Sequence, residues 1–366
     1  MRVLVVNAGS SSLKLVLLDG DDQPIMAHEL ATPRAAIDQG ELRAALDGGL
    51  GEADVVGHRI VHGGERFHAA VAIDADVETA LRGLVDLAPL HQSKSLAALD
   101  AVSSALPGVP AVACFDTAFH ATLPAAAATY ALPSAWRERF GIRRYGFHGL
   151  SHAWVARRAP ALLGRDGSDL RVVSAHLGAG ASLCAIAGGR SIDTTMGFTP
   201  LEGLVMATRS GSVDPGLLLW LLEHGPLSER ELAHALEHES GLAGLAGTPD
   251  MREVLARADA GDAAALLARE VYLHRLRAAI AAMTAALGGI DALVFTGGVG
   301  ERSAAVRELA VAGLGFLGLA IDTERNDGAS GDADVSRAGT PAATLVVLAR
   351  EDLEIARQVR ATVTSR

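Results

Sequence analysis

Apolar and polar positions along this chain follow two rhythms, and the first twenty residues show the shorter one. Val3 to Val6 is a run of aliphatic residues, Asn7 to Ser12 is small and polar, and Leu13 to Leu18 is apolar again before Asp19-Gly20 closes it. Two short apolar runs around a Gly/Ser turn predict a β-hairpin. Further strands are expected from Val55 into Gly63-Gly64, and at Val109 to Phe115, Arg171 to Ala175, Leu183 to Ala187, Ala292 to Thr296 and Leu345 to Leu348. Helical spacing appears near Glu41 to Leu46, at Glu78 to Leu87 and at Lys94 to Leu106, with Pro89 between the last two and Pro107-Gly108 as a stop. It returns at Ser134 to Arg144, after an N-cap at Ser151, from Leu217 and Glu229, over Ala263 to Leu287, from Ser303, and over Glu351 to Val363.

The hairpin pattern occurs twice. His176-Leu177-Gly178-Ala179-Gly180-Ala181-Ser182 lies between two apolar strands as Asn7 to Ser12 does, with one residue more in the turn. An internal duplication follows, each half contributing one phosphate-sized loop to a cleft between them. Glycines and serines in such turns expose backbone N–H groups and hydroxyls with little side-chain bulk, and Lys14 adds a mobile point charge. Phosphate oxygens or a hydrated magnesium ion suit this chemistry. Taken alone, each turn is equally an ordinary hairpin loop. A third turn, Gly297-Gly298-Val299-Gly300-Glu301, is read as opening the helix from Ser303, which sets its N–H groups at a helix N-terminus. Leu353, Ile355 and Ala356 form an apolar stripe on the last helix, which is expected to cross back onto the first lobe.

Length and composition narrow the possibilities. A chain of 366 residues with 49% hydrophobic residues can bury two cores. Forty glycines and few aromatics favour backbone-mediated recognition of a small polar ligand over an aromatic groove. The net charge of -11 argues against a nucleic-acid surface. No apolar run approaches the length of a membrane span and the first is too short for a signal peptide, so a cytoplasmic protein is expected. Cys114 and Cys184 sit far apart in apolar runs and read as small buried hydrophobes, not as a disulfide or a zinc site.

Seven motifs carry side chains with chemistry. They are Asn7-Ala-Gly-Ser-Ser-Ser-x-Lys14, Gly57-His-Arg-Ile-Val-His-Gly-Gly64, Phe115-Asp-Thr-Ala-Phe-His120, Tyr145-Gly-Phe-His-Gly149, His176-Leu-Gly-x-Gly180, Thr208-Arg-Ser-Gly-x-x-Asp-Pro215 and Phe295-Thr-Gly-Gly-Val-Gly-Glu301. In this order they resemble the acetate kinase family nearly end to end. The resemblance implies an α/β fold, duplicated as in actin, hexokinase and the heat-shock ATPases (ribonuclease H-like), with two lobes and mixed sheets around an interdomain cleft. Residues 1–118 and 352–366 would form the N-terminal lobe and residues 119–351 the C-terminal, nucleotide-binding lobe.

What the resemblance implies chemically is Mg²⁺- or Mn²⁺-dependent phosphorylation of a short carboxylic acid by ATP, giving an acyl phosphate and ADP. By motif match, Asn7 and Glu351 would be metal ligands, and Ser10, Ser12 and Lys14 would serve the phosphates. Arg59 would hold the substrate carboxylate beside a small apolar pocket of Val61, Leu90, Phe147 and Pro200. His148 and Arg209 would stabilise the transferring phosphoryl group, with Asp116 orienting an arginine or a magnesium-bound water. ATP would lie on His176, Leu177, Gly178, Ala179 and Gly180, on Asp250-Met251-Arg252, and on Gly298, Val299, Gly300, Glu301 and Arg302. Such a set of cations is what phosphoryl transfer asks for, and a carboxylate acceptor, already ionised at neutral pH, needs no general base. A homodimer is also implied, with Trp220 and the long helix near Tyr272 as a plausible surface.

The chain departs from the family at four places. Ala179, Ser212 and Arg302 replace the usual Asn, Asp and Asn, and Ala349-Arg-Glu-Asp352 replaces Thr-Asn-Glu-Glu, so nucleotide preference is open while Glu351 is kept. Three other readings remain beside the first. A longer acid such as butyrate could be the acceptor, an actin-like regulator could bind ATP without turnover, and His148 with His152 could ligate zinc. The regulator would have no use for Arg59, His148 and Arg209 together. His58, His62 and His120 are read as structural, satisfied by nearby backbone or carboxylates.

Overall fold

The computed structural model describes residues 1–9, 12–31, 37–87 and 89–364, apart from the side chains of residues 86 and 89–91. The chain divides into two compact units, one of Met1–Ala121, Phe147–Trp154 and Arg350–Arg366, the other of Thr122–Gly146 and Val155–Ala349. In the first unit, β1 (Val3–Ala8), β2 (Ser12–Leu18), β3 (Pro24–Ala31), β4 (Val55–Ile60), β5 (Val71–Ala72) and β6 (Ala111–Phe115) form one sheet in the order β3-β2-β1-β4-β6-β5. In the second, β7 (Arg171–Leu177), β8 (Ala181–Ala187), β9 (Arg190–Thr194), β10 (Ala292–Thr296), β11 (Ala333–Asp334) and β12 (Ala343–Val346) take the order β11-β12-β10-β7-β8-β9.

Read from the meander outward, the two orders are the same. Each begins with three antiparallel strands, adds two parallel strands on the far side of the first, and ends on a short antiparallel edge. The duplication is therefore structural as well as sequential. The two glycine-rich turns differ in the opposite sense to the sequence reading. Ala8 pairs with Leu13 and Leu177 with Ala181, which leaves four residues in the first turn and three in the second, because Ala181 and Ser182 already belong to β8.

Period-two alternation builds the first unit's core on both faces of the sheet. Val3 and Val5 point to one face with Val55, Val112 and Cys114, where the helix Glu351–Thr364 covers them with Ile355, Ala356 and Val359. Leu4 and Val6 point to the other, onto Val56, Ala98 and Val102. Burial of each large aliphatic side chain contributes about 1.5–3 kcal/mol. Gly57 sets how closely the last helix approaches, since a Cβ there would lie 2.6 Å from Val359 and 2.7 Å from Ile355.

Several local expectations change. Pro89 opens the helix Pro89–Ala105 instead of separating two helices, as suits a residue with no N–H to offer the first turn. Gly297–Arg302 is itself a short helix, and Ser303 caps the next one, Ala304–Ala312. His120 Nε2 meets the Phe147 carbonyl at 3.0 Å and His62 Nδ1 accepts from the Gly64 amide at 2.8 Å. His58 differs: it is buried, its strand neighbours Val6 and Ala113 are apolar, and neither ring nitrogen has a hydrogen-bond partner among the described residues. Among the described residues no helix is long and apolar enough to cross a membrane.

Candidate active site

In the first unit, the alternation that points Val5, Gly57 and Cys114 at the last helix carries on to the strand ends. Two residues further along three adjacent parallel strands stand Asn7, Arg59 and Asp116, on the same face and beside Glu351 at the start of that helix. They form one chain of hydrogen bonds. Arg59 donates from Nη2 and Nε to Asp116 Oδ2 at 2.6 and 3.1 Å, and from Nη1 to Asn7 Oδ1 at 3.0 Å. Asn7 Nδ2 donates to Glu351 Oε2 at 2.9 Å. The Arg59 and Asp116 side chains are 15% and 2% exposed. Burial disfavours the charge on Arg59, but Asp116, with Glu351 behind it, more than offsets this and holds the guanidinium above its usual pKa.

Asp116 is tied to a second predicted residue through the backbone. Its carbonyl accepts from the Gly149 amide at 2.8 Å, so His148 is held beside it, and His148 takes a left-handed backbone conformation, φ 56°. For a residue with a side chain this costs on the order of 1 kcal/mol and persists where surrounding structure fixes it. Phe147, fully buried, meets the His62 ring edge-on at 5.5 Å, and Val61 is buried close by in sequence to Arg59. Lys14 stands directly opposite Asn7 in the hairpin, on the same face. The Ser12 hydroxyl donates to Glu29 at 2.5 Å. Ser10 and the Leu90 side chain lie outside the described residues.

The second unit holds a cavity of about 540 Å³, on the scale of a bound cofactor. Gly178 and Ala179 of the β7–β8 turn line it, with Asp250, Met251 and Arg252 from the start of the helix Met251–Asp259 and Gly298, Val299 and Arg302 from the helix Gly297–Arg302. Asp250 caps its helix and pairs with Arg252 at 2.6 Å, and that pairing holds its carboxyl down at about 2. His176, Leu177, Gly180, Gly300 and Glu301 are not among the residues that line it. Glu301 turns inward and accepts from the Gly297 and Ala349 amides at 2.9 and 2.8 Å. At the other end of the same short helix, Arg307, 1% exposed, donates to the Gly300 and Glu301 carbonyls at 3.0 and 2.8 Å. Both ends of the segment that lines the cavity are thus fixed by side chains.

Arg209 lies elsewhere in the second unit, in the loop after Pro200. Its Nη1 donates to the Pro200 carbonyl at 3.2 Å, and burial pulls its pKa below the usual value, against the charge of Glu237. Sequence reasoning did not find Leu242, Pro249, Tyr272 or Ser303 in the cavity wall, nor Arg307 behind it. The long helix near Tyr272 is expected from the sequence to contribute to a dimer surface, and Tyr272 itself does not face outward. It is 4% exposed, because the face of the long helix that carries it packs inward with Leu273 and Leu276.

One six-stranded sheet built twice, with a glycine-rich hairpin in each copy and a cavity beside the second, is the duplicated α/β architecture of the actin/hexokinase-like class. The model of the Acetokinase family matches residues 41–357. Acetate kinases of Deinococcus radiodurans and Gloeobacter violaceus are 47% and 43% identical to the chain, the alignments covering 98% of this chain in both cases and 97% and 98% of those proteins. Among solved structures, the acetate kinase of Porphyromonas gingivalis superposes with a TM-score of 0.89 at 35% identity, covering 99% of each chain. A propionate kinase of Francisella tularensis does so at 0.90 and 34%, covering 98% of each. The chain belongs to the acetate kinase family, and is a phosphotransferase with a carboxyl group as acceptor.

Proposed function

We propose that the protein is a Mg²⁺-dependent acetate kinase, working in the cytoplasm, that transfers the γ-phosphoryl group of ATP reversibly to acetate, and to propionate as a second acceptor. The observation that carries this reading is the clamp on Arg59. Three of its N–H groups are engaged by Asp116 and Asn7, and a guanidinium has five, so two remain among the described residues for a carboxylate. Asp116 fixes the guanidinium's plane and balances its buried charge. The acid arrives as its anion and attacks without a general base. Val61, Leu90, Phe147 and Pro200 take its short alkyl end, and Ser10, Ser12 and Lys14 attend the phosphates.

His148 and Arg209 supply positive charge or donors to the equatorial oxygens of the phosphoryl group as it passes between donor and acceptor. ATP lies in the 540 Å³ cavity, with Arg252 and Arg302 as its cations. The hard oxygens of Glu351 and of the Asn7 amide suit a magnesium ion, and both would have to turn to it: Asn7 Nδ2 now donates to Glu351 Oε2 at 2.9 Å and Asn7 Oδ1 accepts from Arg59 at 3.0 Å. When bound, the ion would neutralise charge on the nucleotide phosphates.

Steady-state kinetics with acyl phosphate trapped as hydroxamate test the assignment. Arg209→Ala lowers kcat by about two to four orders of magnitude while the KM for ATP moves far less, and Arg59→Ala also raises the KM for the acid. ADP release indifferent to any carboxylic acid overturns the kinase in favour of a nucleotide-binding regulator. The protein acts as a homodimer in this reading, supported by the helix Pro215–His224, on which Leu217, Leu219 and Trp220 are 46%, 68% and 55% exposed. Sedimentation of wild type and Trp220→Glu at micromolar concentration is expected to show a dimer and a monomer; a monomeric wild type refutes this part.

A further inference from the structure

The loop that carries Pro200 is held far more tightly than its open sequence, Thr195-Met196-Gly197-Phe198-Thr199, foretells. Arg144 Nη1 donates to the carbonyls of Thr195 and Met196 at 3.1 and 3.0 Å. The Gly197 carbonyl accepts from the amides of Tyr145 and Gly146 at 3.1 and 3.2 Å, and the Phe198 amide donates to the Tyr130 hydroxyl at 2.9 Å. Four consecutive residues are thereby fixed through their backbone. Two of the side chains that do this converge on one carboxylate: Glu202 Oε1 accepts from Arg144 Nη2 at 2.7 Å, and Glu202 Oε2 accepts from the Tyr130 hydroxyl. The Arg144 guanidinium also lies over the Tyr130 ring, 5.5 Å from its centroid. The packing is close: a Cβ at Gly197 would fall 1.7 Å from Glu202 Oε2 and 2.1 Å from the Tyr130 oxygen, so a larger residue there would displace both side chains from the loop.

The braced loop ends on Arg209. Pro200, two residues before Glu202, gives its carbonyl to Arg209 Nη1. One residue after Glu202, Gly203 exchanges hydrogen bonds with Ser212, its amide donating to the Ser212 hydroxyl at 3.1 Å and its carbonyl accepting from the Ser212 amide at 3.0 Å. Glu202 therefore stands where the loop that receives Arg209 is stitched to the loop that carries it. A part-buried guanidinium on a loop has many rotamers, the Pro200 carbonyl and the Met206 sulfur at 3.8 Å are among the contacts that select one, and transition-state stabilisation falls steeply with misplacement.

We infer that Glu202, acting through Tyr130 and Arg144, is a positioning residue for Arg209 in phosphoryl transfer. The inference rests on the reading of Arg209 given above. It separates from a general structural role by coupling: a residue that acts only through Arg209 has nothing left to lose once Arg209 is gone.

The test is a double-mutant cycle read in kcat. Glu202→Ala and Tyr130→Phe are each expected to lower kcat about tenfold with the KM for ATP within about twofold of wild type, and to change kcat by less than about twofold in the Arg209→Ala background. Tyr130→Phe removes only the hydroxyl that joins Phe198 to Glu202, so it keeps the test alive if Glu202→Ala does not fold. Binding of ADP with acetate and aluminium fluoride, a planar mimic of the transferring group, reads the same coupling at equilibrium if residual turnover of Arg209→Ala is too slow to follow. Equal losses in both backgrounds, or no loss in the wild-type background, overturn the inference. Near-normal kcat for Arg209→Ala alone overturns instead the reading of the phosphoryl site on which it stands.

Discussion

Asp116→Asn is the perturbation that asks most of the site. The change removes one charge and almost no volume from a pair whose side chains are 2% and 15% exposed. Arg59 cannot escape by losing its proton, because a guanidinium is not deprotonated in a protein. It is left buried against one amide oxygen of the new Asn, the Asn7 carbonyl and the charge of Glu351. Breaking a buried pair from one side costs about 3–5 kcal/mol, and since an Asn carbonyl in the place of Oδ2 still accepts from both Nη2 and Nε, the lower end, about 3 kcal/mol, is expected. That is a large part of the 5–15 kcal/mol or so that holds a typical domain folded. Replacing Arg59 by Met in the same chain removes the orphaned charge, so the double variant Asp116→Asn/Arg59→Met should recover much of the loss. Urea unfolding followed by circular dichroism gives the stabilities, and hydroxamate kinetics on Asp116→Asn should show a raised KM for the acid with the KM for ATP little changed. A single variant within about 1 kcal/mol of wild type would show that the pair is solvated enough to be replaceable, and a double variant less stable than either single one would show that Arg59 is held by something other than Asp116.

Two further expectations test other parts of the molecule. Burial lowers the pKa of His58, His62 and His120 to about 4, from an ordinary 6.5, so the folded protein refuses protons that the unfolded chain accepts. Their contribution is complete above pH 6.5 and is lost as pH falls toward 4; by pH 5 one such histidine should cost about 2 kcal/mol, and His58→Leu should flatten the fall of the urea midpoint between pH 7 and 5, with an unchanged slope counting against a neutral buried His58. Arg302→Asn should raise the KM for ATP by about three- to tenfold at low salt with kcat nearly constant, as expected for an exposed cation that binds nucleotide equally in ground and transition states; an unchanged KM would mean that the guanidinium takes no part.

How much of this was legible in the sequence depended on whether a feature is carried by a local pattern or by topology. The strands were legible because a buried strand must be apolar for several residues in succession, and the candidate residues Asn7, Arg59 and Asp116 stood out because each interrupts or ends such a run where packing alone would want another aliphatic. Their common face follows from period two, which a reader of sequence can count. Glu351 is different. It meets Asn7 across a separation of 344 residues, and only its motif pointed to it, since the first residue of an amphipathic helix is acidic in many proteins for reasons of capping alone.

The cavity wall was less legible for a physical reason. Leu242 and Tyr272 lie on helices whose apolar periodicity says that a side is buried and does not say that the buried side faces a hole. Glu301 and Arg307 were obscured in a second way: a charged residue beside a glycine-rich turn invites a ligand, yet here the charges are spent on the turn's own backbone, Glu301 on the amides at its start and Arg307 on the carbonyls at its end. Glu202 follows the same logic with Arg209. In this chain a charge near the chemistry is as often a brace as a contact. The two are told apart by where the hydrogen bonds go: Glu202 and Glu301 close theirs on nearby backbone and side chains, whereas two of the Arg59 donors have no partner among the described residues.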